Sequence, residues 1–233
     1  MLVLCFETSA KAASVALFDE NGLLGESYQL TALTHSQTLM VMARDLLKQC
    51  QKTPRQVTHV AVAAGPGSFT GVRIGVAAAK GFAWGADIPC HGVSTLEAMA
   101  LGLGIREGYI CAAMDARRGQ VYNALFLADG GVLTRLCPDR AVGLEELGQA
   151  LEHLDGPVYL VGDGAALCHR HFPDTILPPQ WRQHQRAGGV GLAALEKIEA
   201  GEPGDGAALV PNYLRLSQAE RERLEREQLQ KEN

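Results

Sequence analysis

The sequence has no excess of positive charge, no paired cysteines and no long apolar run, and each absence narrows what it can do. A net charge of −5 offers no basic face of the kind that grips nucleic acid unaided, so any nucleic-acid role runs through a partner. Six cysteines (Cys5, Cys50, Cys90, Cys111, Cys137, Cys168) form no CxxC pair, and most sit in apolar surroundings. That is the pattern of reduced, buried thiols in a cytoplasmic protein. No stretch of about 18 apolar residues is present to cross a membrane. Met1-Leu2-Val3-Leu4 lacks a basic lead-in and is followed by Glu7, so it reads as a strand rather than a signal peptide. There is no HExxH or cysteine cluster, and His169-x-His171 has no third ligand at a recognisable spacing. The GPGSFTG segment is neither GxSxG nor followed by the Gly-Lys-Ser/Thr of a Walker loop.

What is present centres on residues 58–85. Val60–Ala64 is a short apolar run that reads as a buried strand, and Gly65-Pro66-Gly67 stops it. Ser68 and Thr70 are helix N-cap types, and a helical pattern runs from there to about Gly85. A glycine turn feeding a helix leaves backbone N–H groups free to hold an anion. Gly65, Gly67 and Ser68 are therefore candidate phosphate contacts, together with Thr8 and Ser9 at the strand-to-strand turn Glu7-Thr8-Ser9-Ala10. Ordinary turn chemistry accounts for Thr8 and Ser9 equally well. Along the helix, Gly71, Gly75, Ala78, Ala79 and Ala83 leave one face nearly bare. Each glycine costs roughly 1 kcal/mol relative to alanine in a helix interior, so a close contact should offset it. The contact is either with this chain's own sheet or with another subunit's helix.

Taken in order, residues 2–30 read as three strands with a hairpin at Asp19-Glu20-Asn21-Gly22. Residues 35–50 read as a helix with an apolar stripe, Leu39, Met42, Ala43, Leu46, Leu47 and Cys50, which Met40 and Val41 widen. A strand at 88–93 and a helix at 95–102 follow, the helix begun by a Ser94–Glu97 capping box. After a glycine-rich loop a second unit begins. It has strands at 109–114 and 120–127 around Asp115-Ala116-Arg117-Arg118-Gly119, a helix near 143–151, a strand at 157–161, a segment at 165–171 and a helix at 188–200. The two arginines beside Asp115 suit either an anion or a solvated hairpin. The predicted fold is α/β with two related lobes, the second reduced. Its divisions are 1–104, 105–216 and a charged helical tail over 217–233.

Several motifs together resemble the bacterial TsaB (YeaZ) family. They are Phe6-Glu7-Thr8-Ser9, His35-Ser36-Gln37, the GPGSFTGVRIG run from Gly65 to Gly75, Asp115–Tyr122 and Pro211-Asn212-Tyr213-Leu214-Arg215. The resemblance implies an ASKHA fold, the actin-like ATPase and RNase H-like architecture of two lobes. It also implies a part in making N6-threonylcarbamoyladenosine (t6A) at position 37 of ANN-decoding tRNAs. In that family the transfer from threonylcarbamoyl-AMP belongs to TsaD, TsaE is the ATPase partner, and the TsaB-like subunit is a non-catalytic scaffold. It is expected to pair with TsaD or with itself through the helices at about 35–50 and 70–85. Candidate contacts there are Leu39, Met42, Leu46, Arg73, Gly75, Ala78, Ala79 and Phe82. It implies no cofactor of the subunit's own, ATP or ADP in the complex with its partners, and tRNA bound only through that complex. TsaD-like paralogues carry a metal-binding His-x-x-x-His where this chain has Thr95 and Met99, neither of which makes such a site. Two competing readings are an independent ASKHA phosphotransferase or ATPase using Glu7-Thr8-Ser9, and a peptidase, which lacks both metal ligands and a triad.

Overall fold

The run Leu2–Glu7 is buried along its whole length, and half of the molecule is laid down around it. In the computed structural model, which describes residues 1–215, this strand (β1, Leu2–Glu7) pairs antiparallel with β2 (Ala13–Asp19) and parallel with β4 (His59–Ala63). With β3 (Gly22–Gln29) beyond β2 and β5 (Cys90–Val93) beyond β4, the sheet order is β3-β2-β1-β4-β5. Gly22 follows the Glu20-Asn21 loop at φ +112°, where only glycine is unstrained. Helices α1 (His35–Gln49) and α2 (Phe69–Ala86) cover one face of this sheet, and α3 (Thr95–Leu103) follows β5.

The second sheet repeats the plan. Strands β6 (Gly108–Arg117) and β7 (Gln120–Asp129) form a hairpin turned by Arg118 and Gly119, both at positive φ. β8 (Val132–Arg135) and β9 (Arg140–Gly143) pair with opposite ends of β7, and β10 (Val158–Val161) lies parallel to β6. The hairpin-like turn read at Ala128-Asp129-Gly130-Gly131 joins β7 to β8, with both glycines at positive φ, but the spans of β8 and β9 themselves are unmarked in the sequence. At four residues each they are too short for alternation to be legible. The second sheet is reduced in breadth: β8 and β9 share the place beside β7, and beyond β10 the described residues add a bridge between Tyr159 and Ile176. This is a two-lobed α/β arrangement, the architecture that the resemblance implies. Helices α4 (Leu144–Glu152) and α5 (Ala165–His171) cover the outer face; the short α6 (Gln180–Gln183) and then α7 (Ala187–Glu199) complete the described chain's helices. The expected tail helix over 217–233 lies outside the described residues.

The two halves exchange a helix. α3 packs Leu96, Met99 and Leu103 on Ile110, Ala112 and Phe126 of the second sheet. α7 packs Ala187, Val190 and Ala194 on Val3, Cys5 and Ala61 of the first. The expected boundary after residue 104 falls in the loop between α3 and β6, yet α7 belongs to the first sheet's core. The two helices touch backbone to backbone: a Cβ on Gly189 would overlap the Ala98 carbonyl oxygen, and one on Gly102 would lie 3.4 Å from Gly189 Cα. The start of α7 is pinned from β3. Arg186 Nε and Nη2 donate to Glu26 Oε2 at 2.9 and 2.7 Å, and the Gly188 N–H donates to Oε1 at 2.9 Å. A carboxylate there also suits the helix dipole. Ser94 Oγ caps α3 by accepting the Glu97 N–H, while the Glu97 carboxylate pairs with Arg135 of β8 at 3.4 Å.

Gly189→Ala should lower stability by about 1–3 kcal/mol through overpacking. Gly81→Ala, where nothing lies within 4 Å of the new carbon, should raise it by up to about 1 kcal/mol. Chemical denaturation midpoints of the two variants should move in opposite directions; shifts of the same sign would contradict this packing.

Candidate functional site

The bare face of α2 meets this chain's own backbone. Ser68 caps the helix, its Oγ accepting the Gly71 N–H at 3.3 Å, and sets its first turns on the Glu7-Thr8-Ser9 turn. A Cβ on Gly71 would overlap the Thr8 carbonyl oxygen, and one on Gly75 would overlap Thr8 Oγ1. Thr8 Oγ1 in turn donates to the Gly71 carbonyl at 2.8 Å. The glycines therefore serve a contact within the chain. Ala79 is fully buried, and Leu39, Met42 and Leu46 lie in the same core with Val72 and Val76. These residues and Gly75, expected at a partner interface, are buried against this chain's own sheet and turn. Ala78 and Phe82 are half-buried at the margin of that core. Arg73 is exposed but engaged, its guanidinium 3.8 Å from the Phe69 ring centroid and its Nε donating to Tyr213 Oη at 2.7 Å.

The outward side of these helices carries other residues. Trp84 is 89% exposed, Met40 and Val41 are each 45% exposed, and Gly81 and Gly85 have open space above them. The widening of the α1 stripe by Met40 and Val41 was the one sequence signal for this surface.

A second feature is the cleft between the lobes. The C-terminal ends of β1, β4, β6 and β10 converge on it, the place where open α/β sheets hold ligands. It encloses about 380 Å³, with Ser9, Gly67 and Ser68 on one side and Asp115, Arg117 and Asp163 on the other. The candidate phosphate residues thus divide. Ser9, Gly67 and Ser68 line the cleft. Thr8 is committed to Gly71, and Gly65 (φ +114°) is covered by Asn212, whose N–H donates to the Ala64 carbonyl at 2.6 Å. Asn212 belongs to the Pro211–Arg215 motif, which ties the lobes together: Tyr213 stacks on Phe69 at 4.5 Å, and Arg215 Nη1 donates to the Ala116 carbonyl at 2.7 Å. Sequence spacing gave no hint that these motifs meet. The Asp115-Ala116-Arg117 stretch closes on itself, with Arg117 N–H donating to Asp115 Oδ1 at 2.8 Å.

Glu7 is buried behind the Ser9 wall of the cleft, and Asp163 lines the cleft itself. Glu7 Oε1 accepts the Ser9 N–H, while Oε2 and Ser9 Oγ are buried without partners among the described residues. Burial pushes the Glu7 carboxyl up to about 7, and the Asp163 charge adds to the rise. Asp163 is raised by burial and by Asp115, against an opposing hydrogen bond from Gln185 Nε2 at 3.1 Å. Among the described residues no group of three or more His, Cys, Asp or Glu is placed to hold a metal ion. Thr95 and Met99 are both buried, Met99 within the core of the second sheet.

A family model described as "TsaD: tRNA N6-adenosine threonylcarbamoyltransferase" matches residues 29–222. A Bacillus subtilis protein named "tRNA threonylcarbamoyladenosine biosynthesis protein TsaB" is 36% identical over 226 residues, covering 94% of this chain and 96% of its own length. The chain belongs to the TsaB (YeaZ) family. The Escherichia coli protein of the same name is 35% identical over 167 residues, 70% of this chain and 72% of its own. The solved structure of YeaZ from Pseudomonas aeruginosa superposes with a TM-score of 0.75 at 25% identity, covering 91% of this chain and 99% of that one. The two-sheet TsaB fold therefore holds over nearly the whole described chain.

Glu7 should make stability fall as pH rises. The unfolded carboxyl releases its proton near 4.5 and the folded one near 7, so its favourable contribution is complete below 4.5 and lost by pH 7 to 8. The loss is up to about 3 kcal/mol. Glu7→Gln, which can still accept the Ser9 N–H, should flatten that part of the denaturation profile and exceed the wild type in stability at pH 8. Parallel pH profiles would refute the assignment.

Proposed function

We propose that this chain is a non-catalytic partner subunit in the formation of t6A at position 37 of ANN-decoding tRNAs. In this reading it acts with a TsaD-type transferase and with TsaE in the cytoplasm. Tethering by the outward side of α1 and α2 is its contribution, and the observation that carries this is Trp84, 89% exposed beside the bare positions Gly81 and Gly85. An aromatic anchor next to small residues lets a second helix pair approach closely, and exposed Trp is the residue type that dominates interface energies. The same surface serves a homodimer when the transferase is absent. Support also comes from the names of the relatives and from Thr95 and Met99, which replace the paralogues' metal-binding histidines with packed side chains. The subunit supplies no cofactor, and ATP or ADP enters with its partners.

A second reading, nucleotide turnover by this chain alone, draws on the interlobe cleft with Ser9, Gly67 and Ser68 beside two raised carboxyls. ATP hydrolysis by the purified protein without partners would favour it.

Size-exclusion chromatography with light scattering should show a heterodimer with the cognate transferase forming at the expense of a homodimer. Trp84→Asp should weaken pairing by tenfold or more while leaving the denaturation midpoint near that of the wild type. A monomer indifferent to the transferase, or undiminished pairing by Trp84→Asp, would overturn the tethering role.

A further inference from the structure

Away from both the cleft and the outward side of α2, the segment between α5 and α7 departs from the rest of the chain in charge. From His169 to Arg186 it carries three arginines and three histidines against one acid, Asp174, in a protein whose net charge is −5. The backbone there is fixed from within. Gly162 N–H donates to the Gln183 carbonyl at 2.7 Å, Gln183 Nε2 donates to the Pro178 carbonyl, and Gln185 Nε2 donates to Asp163. These anchors spend Gln183 and Gln185 on the interior and leave Trp181 and Arg182 outside.

Trp181 is 65% exposed, and the Arg182 guanidinium lies 5.0 Å from its ring centroid. With most of its surface in solvent, so large an apolar ring contributes little to the fold. Beside it lies a cavity of about 310 Å³, walled by Ala98, Met99 and Gly102 of α3 and by Arg182, His184 and Arg186. Arg186 is neutralised by Glu26, so Arg182 supplies the local positive charge with the His184 ring beside it, and among the described residues no carboxylate lines the cavity. The volume is at the lower end for a small-molecule site, about 300–1,000 Å³.

We infer that Trp181, Arg182 and His184 form a stacking platform for a single-stranded nucleotide of RNA, with the base on the indole face and against the apolar wall of α3, and the phosphate at Arg182 and His184. An exposed aromatic face flanked by arginine, with one sign of charge, is how unpaired bases are held without base-pair readout. The inference rests on the tRNA-modifying role proposed above and gives this subunit a direct contact with an unpaired segment of the RNA, where the sequence offered only contact through partners.

The test uses the full chain, a short fluorescein-labelled oligouridylate and an RNA duplex of equal length. Intrinsic fluorescence should be quenched by the unlabelled single strand in the wild type and not in Trp181→Phe, where Trp84 is the remaining tryptophan; equal quenching of both proteins would count against the platform. Anisotropy should show Trp181→Ala weakening single-strand binding about tenfold or more, within the range that loss of one stacked base produces. Arg182→Gln should lower the slope of log affinity against log salt by about 0.7. Equal affinity for duplex and single strand, or unchanged binding by Trp181→Ala, would overturn the platform. Pairing with the transferase is measured on the same Trp181→Ala protein. Intact pairing with unchanged RNA binding refutes the platform and leaves the tethering role standing, whereas lost pairing marks the patch as a protein contact and also refutes it.

Discussion

The architecture depends on one close approach, the crossing of α3 and α7 where Gly102 and Gly189 stand backbone to backbone. Each helix leaves the half of the sequence that produced it and fills the inner face of the other sheet. A side chain at Gly189 would run into the Ala98 carbonyl and push the helices apart, because interiors packed at crystal-like density do not absorb an extra carbon. The Glu26–Arg186 pair holds α7 in place at one end. With the lobes fixed in this way, the C-terminal ends of their parallel strands face each other, and the cleft between them follows from the crossing.

The second close approach, of α2 to the Glu7-Thr8-Ser9 turn, divides the helix into two faces of different purpose. Gly71, Gly75 and Ala79 are small because strand-end backbone and the core lie against them. Ala77, Gly81 and Gly85 have no such reason inside the chain, and neither does the exposure of Trp84. The inward glycines are a structural necessity of the fold, while the outward ones are where a partner helix gains by coming near. One helix thus joins the core to the surface through which the subunit is proposed to act.

The cleft is electrostatically costly to maintain. Glu7 is buried with one oxygen unpartnered among the described residues, and the Asp163 charge further disfavours its ionised form. A buried polar group without its full set of bonds is expensive. At the same time the Pro211–Arg215 segment, through Asn212, Tyr213 and Arg215, bridges the two walls and covers Gly65. The cleft is in this way both retained and partly closed by the chain's own C-terminal motif.

By itself the sequence determined the local elements. The apolar run before Gly65, the Ser68 and Ser94 caps, the amphipathic stripe of α1 and the Gly119 and Gly130-Gly131 hairpins are all set by neighbours a few residues away. The motifs also carried the family and with it the two-lobed fold. What only the tertiary structure decided is which side of each helix is spoken for. Leu39, Met42, Leu46, Gly75 and Ala79 have the composition of an interface, and nothing local distinguishes a stripe facing its own sheet from one facing another subunit. Likewise α7 crossing to the first sheet, Asn212 covering Gly65 and the exposure of Trp181 depend on contacts between residues far apart in the chain. Periodicity records that a face is apolar or small; only the folded chain determines what lies against it.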